Sequence, residues 1–377
     1  MTDAMDAILD EQQALLRDSA ARLCAEVGGP GRARALRYAE EDMDHDAWRR
    51  ICGTGWPSIL IPEESGGLGL GLFDLSLVLE ESGKQLLMVP LLQACVAALA
   101  LARSGDRATL ADVLAGTRLA VPVLADEENG YNAGATHPVA IKDGAGYRLD
   151  GTVRFVPFAL SADTFLVAAR VGGGELLLAA VARNREGLRV KTAANVDGST
   201  SSDLFFDHVA VQGAKVLAHG ETARERVAMM QSVLVLGTSA ELVGLADAAL
   251  DMTLEYLKFR KQFGKPLGSF QALQHRAVNG YIDIELNRSL VYRVFSAWDA
   301  GQRHPAMVSA LKARTSRSAL EVTRAALQMH GAIGYTDEHD IGLYYKRAVV
   351  LAALYGNDNN HASRFSRLTL NEAGPNA

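Results

Sequence analysis

Cysteine is scarce in this sequence: Cys24, Cys52 and Cys95 are the only three in 377 residues, with no short spacing between them. An odd, dispersed set excludes a disulfide framework or a zinc site and reads as buried thiols in a reducing compartment. Excess positive charge is missing as well. Lysine and arginine number 38 against 44 acidic residues, a net charge of −6, so neither a nucleic-acid surface nor a polybasic membrane surface is expected. Long apolar runs are also absent. The longest uncharged stretch, Leu86 to Ala102, is interrupted by Pro90 and Gln93 and falls short of the roughly 20 apolar residues of a bilayer span. It reads as a buried helix. Asp3, Asp6 and Asp10 stand where a secretory signal would carry a basic region, and a cytoplasmic protein is the expectation. No HExxH, no Cys/His cluster at ligand spacing, no G-x-S-x-G elbow and no Walker A loop occur. No metal site is expected, and by elimination a redox or acid–base enzyme with a bound organic cofactor gains weight.

What remains is ordinary globular material, 49% hydrophobic and 22% charged, and its length suits two or three domains at about 150 residues each. Its texture changes twice. Residues 1–117 carry helical periodicity, with Leu9, Leu15, Leu16, Ala20 and Leu23 near one stripe and a second apolar helix near Leu75–Leu87. Residues 118–221 hold short apolar runs such as Phe165–Val171 and Leu176–Val181, punctuated by turn signals at Asp143-Gly144, Asp150-Gly151 and Gly172–Gly174. Strands at that spacing suggest a sandwich or barrel. Without strand–helix alternation a Rossmann sheet is not expected, and Gly172–Gly174 reads as a hairpin turn. Residues 222–377 are helical again, with Pro266 and Pro305 at breaks and a loose tail from Asn371. The fold class is α+β: a β domain, expected as a barrel, between two helical domains.

Two segments are more specific. One runs Arg260-Lys-Gln-Phe-Gly-Lys-Pro-Leu-Gly-Ser-Phe-Gln271, and the other Gln328-Met-His-Gly-Ala-Ile-Gly-Tyr335. Together they resemble the acyl-CoA dehydrogenase family, whose fingerprints are R-x-x-F-G-x-x-[IL]-x-x-x-Q and Q-x-x-G-G-x-G-[YF]. Gly55-Trp-Pro-Ser-Ile-Leu-Ile-Pro-Glu-Glu-Ser-Gly-Gly-Leu-Gly-Leu70 is similar to the family's loop between early helices. The resemblance implies a helical, β-barrel and helical architecture, FAD as cofactor, an acyl-CoA substrate and electron-transfer flavoprotein as acceptor. It implies cofactor contacts from Arg260, Gln262, Phe263, Gln271, Gln328, Gly331 and Ala332, with the Gln328 segment reaching the FAD of a neighbouring subunit. The residue chemistry agrees: Arg260 offers a charged planar fork suited to a pyrophosphate, and Gly264, Gly268, Gly331 and Gly334 permit close backbone approach. The plainer reading makes Arg260 and Lys261 a solvated helix end before a turn. His330 and His339 flank the glycine turn and are expected to be structural.

The sequence departs from the family at the base. Short- and medium-chain members place a glutamate 27 residues after the glutamine that opens the glycine turn, a slot filled here by Tyr355. Isovaleryl- and long-chain members place it 26 residues before the arginine, where Leu234 stands. Tyrosine is a poor base near neutral pH. The candidate left is Glu241, with Gly237, Thr238, Gly244 and Leu245 as its helical neighbours, small residues that would leave room for a ligand. The surrounding pattern resembles members acting on bulky or dicarboxylic acyl-CoAs, such as steroid side-chain and pimeloyl-CoA dehydrogenases. The other reading makes Glu241 a structural residue or the partner of an arginine, and Asp247 is expected as an interface or surface charge. Ala332 replaces the second glycine of the turn, Phe155–Phe158 replaces the usual Ile-Thr-Asn strand end, and Ala125-Asp126-Glu127 the usual Thr-Glu-Pro. The expected function is FAD-dependent α,β-dehydrogenation to a trans-2-enoyl-CoA with Glu241 as α-proton base, in a homo-oligomer or an α2β2 assembly with a related subunit. The alternatives are a FAD-sharing or structural subunit with little activity alone, and an oxidase or monooxygenase on the same fold.

Overall fold

The computed structural model describes residues 9–124 and 138–373. Ala125–Glu127 and the last residues of the tail, 374–377, lie outside the described residues. The chain opens with α1 (Glu11–Val27), α2 (Pro30–Leu36), α3 (His45–Cys52), α4 (Leu72–Lys84), α5 (Leu91–Ala102) and α6 (Arg107–Leu114). Among the described residues eight strands follow: β1 (Ala120–Val123), β2 (Val139–Asp143), β3 (Gly146–Pro157), β4 (Thr164–Arg170), β5 (Leu176–Ala182), β6 (Leu188–Ala194), β7 (Thr200–Val211) and β8 (Val216–His219). The remainder is α7 (Gly220–Phe259), a short hairpin of β9 (Lys261–Gln262) and β10 (Lys265–Pro266), then α8 (Gln271–Asp299), α9 (Pro305–His330), α10 (Ile341–Ala353) and α11 (Asp358–Ala373). Helical N- and C-terminal regions thus flank a middle β-sheet domain.

By compactness the chain forms two units: residues 1–35, 72–87 and 236–377 make one, and residues 36–71 and 88–235 the other. In the first, α1 starts with a capping box. Asp10 accepts from the Gln13 amide at 2.8 Å and Gln13 accepts from the Asp10 amide at 3.2 Å, satisfying two orphan donors at once. Its buried face is Ala20, Cys24 and Val27, while Leu15, expected on the buried stripe, is 62% exposed. The backbone of α4 meets that of α7 at two glycines. A Cβ on Gly244 would fall 1.8 Å from the Glu80 carbonyl, and one on Gly83 2.1 Å from the Glu241 carbonyl, so the small residues there serve helix contact. Pro305 opens α9 at its first turn, where its missing N–H has no intrahelical partner to lose.

In the second unit the strands form one mixed sheet in the order β6-β7-β3-β2-β4-β5-β8, with β1 added parallel to β4. β4 and β5 are buried along almost their whole length, which explains why they read as continuous apolar runs. Val171 to Glu175 joins them as the expected hairpin turn. Pro90 precedes α5, so that helix starts at Leu91 and not near Leu86; proline fixes φ and disfavours helix for the residue before it. One helix, α7, is long and apolar enough to cross a membrane by length and composition, but 83% of its most apolar stretch is buried in the protein, as in a core helix.

Candidate functional site

α7 ends at Phe259 and the chain turns immediately. The Leu267 amide donates to the Arg260 carbonyl at 2.8 Å, and Gln262 pairs with Lys265 across the hairpin. Phe263 and Gly264 form its tip, both with positive φ (53° and 79°), the backbone twist that suits a two-residue turn. Phe263 is 89% exposed, its ring set edge-on to Phe270 at 6.2 Å, and the Lys265 ammonium lies 4.3 Å over the Phe270 ring. Arg260, Gln262 and Gln271, the first residue of α8, are exposed. Their side chains make no hydrogen bond or ion pair among the described residues. Nine or more donors are therefore presented outward from one short stretch of chain.

The second segment adjoins the first. α9 ends at His330, and Gly331 takes φ 71°, ψ −145°, a conformation that a side chain would strain. Gln328 and Ala332 are exposed and Gly331 half-buried, so the Ala332 methyl meets no crowding within the chain. Gly334 is buried, with a built Cβ only 3.0 Å from the Leu327 carbonyl. Tyr256, one helical turn before Arg260, stacks on the His330 ring at 4.4 Å, and its hydroxyl donates to the His330 carbonyl at 3.3 Å. The structure thus brings Arg260, Gln262, Phe263, Gln328, Gly331 and Ala332 to neighbouring ends of α7 and α9, with Gln271 just beyond. Unpaired cationic and amide donors beside strained glycines fit a dinucleotide pyrophosphate.

Glu241 stands elsewhere, 19 residues earlier on α7, or roughly 28 Å at 1.5 Å per residue. The arginine partner of its second reading is present: Arg347 of α10 donates to its Oε1 at 2.7 Å, with the Glu241 and Arg347 side chains 12% and 8% exposed. Of its small neighbours, Gly244 leaves no ligand space, since the α4 backbone fills it. Lys312 of α9 is fully buried nearby and donates to the Leu351 carbonyl at 2.6 Å. Burial pushes that ammonium down to about 7, with Glu241 pulling the other way. Asp247 is no surface charge either. Arg288 bonds it at 2.7 Å and Lys84 lies 3.6 Å away, in a network that also holds Glu80 and Glu285.

Neither familiar base slot holds a carboxylate. Leu234 is 2% exposed, and Tyr355, with φ 59°, accepts at its carbonyl from His361 Nε2 at 2.9 Å. In the β domain Phe155 has φ 57°, is 48% exposed, and donates from its amide to Asp203 at 3.3 Å. It sits at a register shift between β3 and β7, beside Pro157. Sequence reasoning missed Arg347, Lys312 and the Tyr256–His330 stack. For Lys312 a signal existed: it falls on the stripe Val308, Leu311, Thr315 and Ala319, all buried.

Comparison with known proteins agrees with this architecture. Family models described as acyl-CoA dehydrogenase, N-terminal domain and C-terminal domain match residues 10–117 and 214–368. Acyl-CoA dehydrogenase IpdE2 of Mycolicibacterium smegmatis is 31% identical over 352 residues, covering 92% of this chain and 96% of that protein. Acyl-CoA dehydrogenase FadE27 of Mycobacterium tuberculosis is 31% identical over 355 residues, covering 90% and 91%. Among solved structures, the ChsE4-ChsE5 complex of Mycobacterium tuberculosis superposes with TM-score 0.88 at 27% identity over 96% of this chain and 98% of that one. A variant of the steroid ACAD Tcur3481-Tcur3483 gives 0.87 at 28%, over 96% and 99%.

Proposed function

The chain belongs to the acyl-CoA dehydrogenase family of flavin-dependent oxidoreductases, and from that premise we propose that its flavin is FAD, held non-covalently. Bound flavin supplies the two-electron acceptor for the substrate's β-hydride. The observation that carries the FAD reading is the set of outward donors on Arg260, Gln262 and Gln271 beside Gly331. The Arg260 fork holds the pyrophosphate by charge-assisted bonds, the two glutamines add neutral ones, and the glycine turn lets the phosphates approach the backbone. The exposed ends that carry these groups are completed by a second subunit, and electron-transfer flavoprotein takes the electrons onward. The substrate is a bulky acyl-CoA of the steroid-derived kind, in line with the named steroid relative.

Glu241 is proposed as the α-proton base, since neither Tyr355 nor Leu234 offers a carboxylate. Arg347 engages Oε1, so Oε2 is the oxygen to accept that proton, and neutralising the carboxylate leaves Arg347 and Lys312 with no counter-charge from this residue. That engagement favours a second reading, in which Glu241 stays an ion-pair partner and the base belongs to a related chain of a heteromer, an arrangement that the two-protein ChsE4-ChsE5 complex would suit. The test is the visible spectrum of the purified chain, alone and with a co-expressed partner, during acyl-CoA addition. Glu241→Gln is expected to keep the flavin and lose its bleaching by about 10²–10⁴-fold in rate. Bleaching within a few-fold of the parent rate establishes the second reading for the base. A chain that takes up no flavin in either state overturns the FAD reading itself.

A further inference from the structure

We propose that Tyr256, His330 and His339 form a positioning stack, which sets the Arg260 hairpin against the Gly331–Tyr335 turn for FAD and releases the cofactor when acid protonates it. The inference rests on the FAD reading above but concerns residues that reading does not use. The three rings are in mutual contact: His330 lies 4.4 Å from Tyr256 and 4.4 Å from His339, and Tyr256 meets His339 edge-on at 5.9 Å. Each ring comes from a different segment, namely the last turns of α7, the end of α9 and the approach to α10. Fixing the rings therefore fixes the spacing of the two segments that carry the outward donors.

Hydrogen bonding and burial together favour neutral imidazoles at both positions. His330 Nδ1 faces the Ala326 carbonyl at 2.8 Å; a carbonyl only accepts, so Nδ1 carries a proton, and in the neutral ring Nε2 is bare. That Nε2 is buried without a partner in a residue only 4% exposed. At His339 the roles reverse. The Ile341 amide donates to Nδ1 at 3.2 Å, so Nδ1 is unprotonated and the proton sits on Nε2. Adding a proton to His330 would place a buried N–H with no acceptor beside a second imidazole. Adding one to His339 would break the bond that caps the start of α10. Burial, first among the causes, lowers the titration of both rings below its ordinary value. Among the groups acting on the stack, Asp340 alone among the acids favours the charged form of His339, and Arg34 already holds Asp340 at 2.7 Å. Tyr256 is the neighbour from α7, and the Ala326 carbonyl the one from α9.

The experiment measures the FAD dissociation constant of the assembled protein at pH 7.5 and 5.5 by recovery of free-flavin fluorescence. Thermal melts of the apoprotein at both pH values show whether the fold persists. The parent is expected to bind more weakly at pH 5.5, by up to about tenfold for each ring that gains a proton, while its melt stays cooperative. His330→Phe keeps an aromatic ring in the stack but cannot be protonated, and the acid loss should shrink to threefold or less. His339→Asn keeps an acceptor for the Ile341 amide and should flatten the profile likewise, which covers the case in which the first variant does not fold. A parent with equal affinity at both pH values overturns the proposal, as does a full acid loss retained in either variant. Should neither variant fold, the parent profile alone decides. A parent that binds no FAD at pH 7.5 overturns the cofactor reading instead.

Discussion

Arg288 and Arg260 both belong to the C-terminal region, one on α8 and one just past the end of α7, and they are treated oppositely. Arg288 is 4% exposed and bonds Glu80 at 2.8 Å, Asp247 at 2.7 Å and also Glu285. Arg260 is exposed and makes no hydrogen bond or ion pair with its side chain among the described residues. The same division separates Glu241, held by Arg347, from Gln262 and Gln271, which hold nothing. Buried charge must be paired within the chain or its desolvation goes uncompensated. Donors left unpaired at the surface cost little there and are available to an anion. One region therefore specifies the helix packing, and the other is open to a ligand. Substitutions in the first should change stability and leave affinity alone; those in the second should do the reverse.

The strongest test of that division is Arg288→Met, which strands the buried Glu80 and leaves Asp247 to Lys84, 3.6 Å away. Removing one partner of a buried pair costs about 3–5 kcal/mol, and denaturant unfolding should show a loss of that size. A variant that unfolds within 1 kcal/mol of the parent, by the same scale of ~1 kcal/mol for exposed pairs, would mean that the network is solvated and the contrast false.

Lys312→Met probes the same interior by pH. The folded ammonium titrates at about 7 against an ordinary 10.5, so between those values the unfolded chain binds more protons than the folded one. Stability of the parent should therefore rise with pH across that window, by about 1 kcal/mol per unit. Methionine fills similar space without a charge and should flatten that rise. A slope unchanged in the variant assigns it to other groups.

These interior pairings explain where the sequence could be read and where it could not. The centre of the sheet was legible, because strands buried on both faces leave continuous apolar runs such as Phe165–Val171. The Arg260–Gln271 and Gln328–Tyr335 segments stood out because their residues are contiguous and match the family's fingerprints, while the hairpin form of the first was not anticipated. The start of α4 was not: its first amides, Leu72 and Phe73, are capped by Asp299 at 2.9 and 2.8 Å, 227 and 226 residues away. The identity of Glu241's arginine partner was not legible for the same reason, since Arg347 lies 106 residues on. Gly244 illustrates a different limit, because a small residue in a helix signals close approach without saying whether a ligand or another helix approaches.

On the open side, Arg260→Ala should leave unfolding unchanged and weaken FAD binding by about 1.5–3 kcal/mol, or roughly ten- to a hundredfold. Equilibrium dialysis of the flavin against apoprotein reads this directly. If the variant holds its flavin as the parent does while losing stability, Arg260 belongs with Arg288 and the division between the two regions fails.

The finest test is Gln271→Ala. Gln271 opens α8 and is exposed, and Phe270 before it provides no side-chain cap to that helix. Alanine is a better helix former than glutamine by a few tenths of a kcal/mol at most, so stability should hold or rise slightly. A neutral hydrogen bond to the cofactor is worth about 0.5–1.5 kcal/mol, which corresponds to roughly two- to tenfold in the dissociation constant. The two readouts thus move apart, with affinity falling and the melt flat or slightly up. A fall in both together would show that Gln271 holds the helix start in place, and the open region would then end at the hairpin with Arg260 and Gln262.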